Sequence, residues 1–107
     1  MKTLNKLAKE IHAWAKRKEF YDYDGPTNDG EKIALMHSEL SEALEGLRHD
    51  NPPDQHCPEY TSAEIELADC IIRILDFCGY KNYDIEKAIT AKMEYNEHRP
   101  LKHGKKF

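Results

Sequence analysis

Two pairs of acidic residues, each with two positions between its members, are the residues of this sequence best suited to carry out chemistry. The pairs are Glu39 with Glu42 on one predicted helix and Glu66 with Asp69 on the next. Side chains three positions apart share a helix face, so two antiparallel helices would bring four carboxylates around one point. Oxygen ligands in this number suit Mg²⁺, which also binds phosphate oxygens. The pattern predicts a magnesium site, with two solvated acidic faces as the alternative.

The segment that holds the second pair, residues 63–78, is apolar almost all the way round a helix. At about 100° per residue, one arc of roughly 80° holds its charged residues Glu66, Asp69, Arg73 and Asp76. A helix that is hydrophobic on nearly every side is buried, and buried carboxylates need a cation or hydrogen bonds to offset their desolvation. We therefore expect a metal ion at this arc. For Arg73, an ion pair with Asp69 and a contact with phosphate are both open.

Helical spacing of apolar residues predicts four helices and an all-α fold. The first two are expected over about residues 3–19 and 31–49, with Asp29 as N-cap of the second. A capping box formed by Thr61 and Glu64 begins the third, which Gly79 ends as a C′ residue. Asp84 caps a fourth helix that runs to about residue 98. The single domain then comprises an N-terminal helix and loop (1–30), the metal and substrate helices (31–99) and a basic tail (100–107).

Composition narrows the classes of partner. The net charge is −4, but residues 21–70 alone hold thirteen acidic and two basic side chains, whereas both flanking segments are net basic. Nucleic-acid binders usually present a clustered basic face, so no nucleic acid polymer is expected. Three cysteines without a paired framework, no signal peptide and no run of about 20 apolar residues predict a soluble, cytoplasmic protein without membrane contact.

The fourth helix places polar residues where its core stripe should continue. Ile85, Ala88 and Ile89 define the stripe, and the positions that extend it are Lys92, Asn96 and Arg99. One interpretation is that the stripe leaves the bundle and the long side chains reach solvent. The other is that it enters a polar cavity, where Lys92 and Arg99 bind phosphate oxygens.

These motifs together resemble the MazG-type all-α nucleotide pyrophosphohydrolases, which are related to the dimeric dUTPases and the dCTP pyrophosphatases. The resemblance covers about residues 31–107 and consists of Glu39-x-x-Glu42, twenty-three further residues, Glu66-x-x-Asp69, and Lys92-x-x-x-Asn96-x-x-Arg99. It implies a Mg²⁺-dependent enzyme, with Mn²⁺ as a substitute, that splits a nucleoside triphosphate into monophosphate and pyrophosphate. The four carboxylates would be the metal ligands, and Lys92, Asn96 and Arg99 would bind substrate. Members commonly carry an aromatic residue near the position of Arg73.

The sequence therefore predicts a helical bundle that hydrolyses a nucleoside triphosphate. Glu39 or Glu42 would accept the proton of the attacking water, and Arg73 is a further candidate for substrate binding. Surplus apolar surface predicts a homodimer or a dimer of dimers. The alternative is a non-catalytic helical module that senses a nucleotide or metal, or binds a partner. His37 and Trp14 are interpreted as core residues. The alternative for His37 is a role as base or metal ligand, and the alternative for Trp14 is stacking on a nucleobase.

Overall fold

The computed structural model describes residues 2–18 and 28–99 of the chain. Within these ranges it contains four helices and no strand, so the all-α prediction is confirmed. The helices are α1 (Leu4–Arg17), α2 (Asp29–Arg48), α3 (Ser62–Lys81) and α4 (Ile85–Glu97). Most of the predicted loop after the first helix and the basic tail lie outside the described residues.

Side-chain caps begin all four helices. The N-cap side chains of Thr3, Asn28, Thr61 and Asp84 each accept a hydrogen bond from the backbone N–H three residues later. The capping box of Thr61 and Glu64 forms as predicted. The predicted cap of α2 was wrong by one position, because the oxygen of Asn28, rather than that of Asp29, accepts from the N–H of Glu31 at 3.0 Å.

Gly79 does not end α3, contrary to the sequence prediction. The helix continues to Lys81, and Asn82 caps it in the left-handed conformation with φ 58°. A Cβ atom on Gly79 would lie 2.5 Å from the carbonyl oxygen of Ala8 on α1. The glycine is therefore required for the close approach of two helices and not for a change of chain direction.

Helix α3 lies between α1 and α2. Residues 39 and 46 of α2 lie beside residues 73 and 62 of α3, so the two helices are antiparallel. Small residues line this contact: Gly46 lies against Ser62, and Ala43 and Ala63 are buried. On another side of α3, Leu75 and Cys78 pack with Ala8 of α1. The two helices therefore cover two of the three faces of α3.

The third face of α3 is open, although the sequence predicted burial on nearly every side. Leu67, Ile71 and Ile74 are exposed there, Ile71 by 54%. Because α2 and α3 are antiparallel, the residues that follow their contact positions point to the same side of the pair. The exposed leucines of α2, at positions 40, 44 and 47, therefore extend the same surface. We call these six residues the open apolar face.

The core of the single chain is small. Seven apolar residues are buried in the described part of the chain, and only one of them, Leu75, is larger than alanine or cysteine. A domain of this size has little apolar burial to spare. Covering the open apolar face would therefore add substantially to its stability.

The N-terminus of α4 is attached to α1 by one side chain. The amide oxygen of Asn5 accepts from the N–H groups of Ile85 and Glu86, and its amide nitrogen donates to Asp84 at 2.9 Å. Ile85 packs on the small core, whereas Ile89 and Met93 are exposed. Among the described helices, none combines the length and the apolar character needed to cross a bilayer.

Gly79 provides a direct test of the helix packing. We expect Gly79→Ala to lower the free energy of unfolding by about 1–3 kcal/mol, because its Cβ would overlap the α1 backbone and overpacking costs this much. Gly30→Ala is the matched control: the nearest atom to its added Cβ is the Asn28 side-chain oxygen at 3.4 Å, and alanine favours the helix. Urea unfolding measures both variants, and equal stabilities would contradict this account of α1–α3 packing.

Candidate metal centre

Three of the four predicted carboxylates meet between α2 and α3. Glu39, Glu42 and Glu66 each offer an oxygen, and these oxygens lie within 4.8 Å of one another. The antiparallel pairing and the small residues at the helix contact allow this convergence. We call these three residues the carboxylate cluster.

The carboxylate cluster contains buried oxygens without a hydrogen-bond partner. Glu39 is only 7% exposed. Among the residues that the structure describes, neither its Oε2 nor the buried Oε2 of Glu66 has a hydrogen-bond partner. An ionised oxygen removed from water without a donor carries a large desolvation penalty. A hard cation coordinated by these oxygens would remove that penalty. The donor set therefore fits a divalent metal ion.

The pKa of Glu66 is raised by its burial beside the other two carboxylates. Burial raises its pKa from 4.5 to about 7, and the neighbouring carboxyl groups of Glu42 and Glu39 contribute to the rise. A carboxyl group among like charges retains its proton to higher pH when no cation compensates it. Without a cation, the cluster therefore disfavours the ionised form of Glu66 near neutral pH.

Asp69, the fourth predicted ligand, lies outside the group of three. Its side chain lines a neighbouring cavity of about 290 Å³, which Glu39 also borders. Partial burial raises the pKa of Asp69, as does the charge of Glu39, and Arg73 opposes the rise. Its role as a metal ligand stays a prediction.

Arg73 pairs with Glu39, an arrangement that sequence reasoning did not consider. Its Nε donates to Glu39 Oε1 at 2.9 Å, joining α3 to α2. The sequence analysis had left open a pair with Asp69 or a contact with phosphate. Helical spacing relates Arg73 to neighbours on its own helix, and only the packing of two helices brings Glu39 within reach.

Two cavities border Arg73. The one shared with Asp69 has an apolar wall formed by Ile11, Trp14 and Ile72. The other, of about 300 Å³, is bordered by Lys32 and Leu35, and Asp76 lines both. Trp14 is 39% exposed at this wall, so its interpretation as a core residue was wrong.

A second side-chain contact joins another helix pair beside these cavities. Nδ1 of His12 lies 3.0 Å from Oδ1 of Asp76, linking α1 to α3. The spacing on each helix gave no signal for this contact. It fixes a carboxyl group that lines both cavities.

Two other residues of α2 lie away from the cluster. Glu45 forms an ion pair with Arg48 at 3.7 Å at the surface of α2, and Nε2 of His49 lies 3.9 Å from its other carboxylate oxygen. His37 is exposed, so the prediction that it belongs to the core was wrong. The physical reason is that His37 precedes Leu40 by one turn and lies in line with the open apolar face.

The polar end of α4 lies at the surface of the single chain. Lys92 and Asn96 are exposed, and Lys92 and Arg99 lie over the ring of Tyr95 at 4.8 and 5.1 Å. No α4 residue lines either cavity beside Arg73. The structure of one chain thus does not bring these predicted substrate-binding residues to the carboxylate cluster.

Comparison with protein-family models, curated proteins and solved structures gives no match for this chain. The family resemblance therefore depends on the motifs in the sequence. The geometry of the carboxylate cluster is independent of it.

The raised pKa of Glu66 predicts a pH dependence of stability for metal-free protein. Glu66 holds its proton to higher pH when folded than when unfolded, so its contribution is complete below about pH 4.5 and is lost as the pH rises to about 7. We expect Tm in a chelator to fall over this window and to fall less in Glu66→Gln. Glu45→Gln, outside the cluster, should follow the wild-type profile. Parallel profiles for all three proteins would contradict the assigned burial of Glu66.

Proposed function

We propose that this protein is a Mg²⁺-dependent nucleoside triphosphate pyrophosphohydrolase of the MazG-like class. The observation that carries the proposal is the carboxylate cluster, in which two buried oxygens lack hydrogen-bond partners. Such a site suits a divalent cation better than a purely structural role, because it destabilises the fold when left without one. The sequence motifs of the family resemblance supply the reaction type.

The residues of the cluster would hold the metal, with Asp69 as a further ligand from the cavity side. When bound, the ion would neutralise phosphate charge and lower the pKa of a water molecule. Mn²⁺ would substitute because it also prefers oxygen ligands. The ion can be identified by calorimetric titration of chelator-treated protein with Mg²⁺, Mn²⁺ and Ca²⁺.

Glu42 is the best candidate for the general base. It is exposed at the edge of the cluster, whereas Glu39 is buried and its Oε1 is occupied by Arg73. A carboxylate at the edge can accept a proton from a water molecule, and the oxygen of that water then forms a new P–O bond. The bridging P–O bond between the α and β phosphates breaks, and pyrophosphate leaves with the electron pair.

The cavity of about 290 Å³ is the candidate nucleoside site. Its apolar wall includes the indole of Trp14, on which a base can stack, and its other side carries Asp69 and Arg73. The Arg73 guanidinium is well suited to phosphate. The cavity borders Glu39 of the cluster, so a nucleotide there would direct its phosphates toward the carboxylates.

A homodimer is part of the proposal. The open apolar face would be covered by a second copy of the chain, which the very small core favours. Within one chain α4 packs against α1 and its polar end lies away from the cluster. Lys92, Asn96 and Arg99 would bind substrate only if the assembly also brings them from one copy to the cluster of another. A dimer of dimers satisfies the same argument.

The alternative is a non-catalytic module in which the open apolar face binds another protein. The exposed positions of Lys92 and Asn96 in the single chain favour this alternative. The two functions differ in turnover. A module stabilised by Mg²⁺ but unable to release pyrophosphate from any nucleoside triphosphate would exclude the enzyme.

Glu42→Gln tests the proposed activity. We expect pyrophosphate release to fall by about 100-fold or more, because general-base catalysis contributes at least this much, while the helical circular dichroism stays unchanged. Glu45→Gln is the matched control, since it removes one exposed carboxylate from the same helix outside the cluster. Equal losses in both variants would refute the assignment.

Sedimentation equilibrium tests the assembly. We expect wild-type protein to be a dimer or tetramer, and Ile71→Asp to shift it to the monomer, because a charge at the centre of the interface would be buried. Tyr60→Asp places a charge at an exposed position before α3 that does not belong to the open apolar face, and it should leave the mass unchanged. A monomeric wild type would contradict the proposed homodimer.

A further inference from the structure

The bond between Arg73 and Glu39 uses one particular atom of each side chain. Arg73 donates through Nε and not through its terminal nitrogens, and Glu39 accepts through Oε1. The other oxygen of Glu39, Oε2, is buried and unpartnered. The two oxygens of Glu39 therefore differ: Oε1 accepts a hydrogen bond from a cationic donor, and Oε2 accepts none from the described residues.

This asymmetry determines how Glu39 can serve as a ligand. A carboxylate without a fixed partner rotates about its terminal torsion and offers either oxygen. The directed N–H of Arg73 removes this freedom, because turning the carboxylate would break a charge-assisted hydrogen bond in a buried position. Oε2 therefore remains the oxygen available to a cation.

We propose that Arg73 is a positioning residue for the metal site, holding Glu39 so that Oε2 is presented to the cation. The inference rests on the proposed function only in requiring that the carboxylate cluster binds a divalent ion. Arg73 acts through Glu39 and does not itself coordinate the ion.

Two effects of Arg73 on cation affinity oppose each other. Its positive charge repels the ion, whereas its hydrogen bond fixes a ligand. The charge is moderated because the Arg73 side chain is 41% exposed and Asp69 and Asp76 border the same cavity. Removing the hydrogen bond would leave both oxygens of a 93%-buried carboxylate without a donor, and partners of metal-ligating groups typically contribute 10–100-fold to affinity. The hydrogen bond therefore outweighs the repulsion.

The use of Nε also explains why an arginine suits this position. Within the described residues, Arg73 forms a side-chain hydrogen bond only through Nε, and the residue borders both cavities. A single guanidinium can thus fix the ligand on one side and bind an anion on the other, which a lysine cannot do with the same geometry.

Calorimetric titration of Mn²⁺ and Mg²⁺ into chelator-treated protein tests the inference without using activity. We expect Arg73→Ala to bind each ion about 10–100-fold more weakly than wild type. Arg73→Lys retains a charge and a donor, and should recover part of the lost affinity. Arg48→Ala is the control, because it removes another arginine–glutamate pair from the surface of α2.

The outcomes separate the inference from the proposed function. Unchanged or tighter binding by Arg73→Ala, with wild type binding normally, would overturn the positioning role alone. A wild type that binds neither ion would overturn both. Arg73→Lys keeps the test decisive if Arg73→Ala fails to fold, since wild-type affinity in the lysine variant would also refute a role for the Nε geometry.

Discussion

The constraint on which the rest depends is the desolvation of carboxylate oxygens between two packed helices. Glu39 and Glu66 each bury an oxygen that has no hydrogen-bond partner in the described part of the chain. Arg73 compensates one oxygen of Glu39, and a raised pKa reduces the charge on Glu66. Neither effect compensates the buried charge fully, because Oε2 of Glu39 and Oε2 of Glu66 still have no hydrogen-bond partner among the described residues. A divalent cation is the ligand that would complete the compensation.

The same helix, α3, connects this site to the stability of the protein. Glu66 meets the glutamates of α2 on one side of the helix, a second side packs on α1, and the third presents apolar residues to solvent. Close packing on the first two sides requires small residues, which leaves few large side chains in the core. The chain therefore combines a well-defined site with a thin core, and a second copy would stabilise the helices that hold the cluster.

Local signals in the sequence predicted the helices well because capping and periodicity act over a few residues. Thr61 with Glu64 and Asp84 were identified as caps from their types alone, and both form. Gly79 was misassigned because glycine suits both a helix end and a close helix contact. Only the approach of Ala8, 71 positions earlier in the chain, distinguishes the two.

For the candidate site, the sequence by itself determined which carboxylates share a helix face, because that follows from 3.6 residues per turn. It therefore identified the pairs Glu39 with Glu42 and Glu66 with Asp69 as potential ligands, and three of these four residues form the carboxylate cluster. Tertiary structure alone decided that Arg73 pairs with Glu39, that Asp69 borders a cavity, and that the end of α4 lies apart. These relations depend on how helices are packed against one another, and no periodicity within one helix encodes that arrangement.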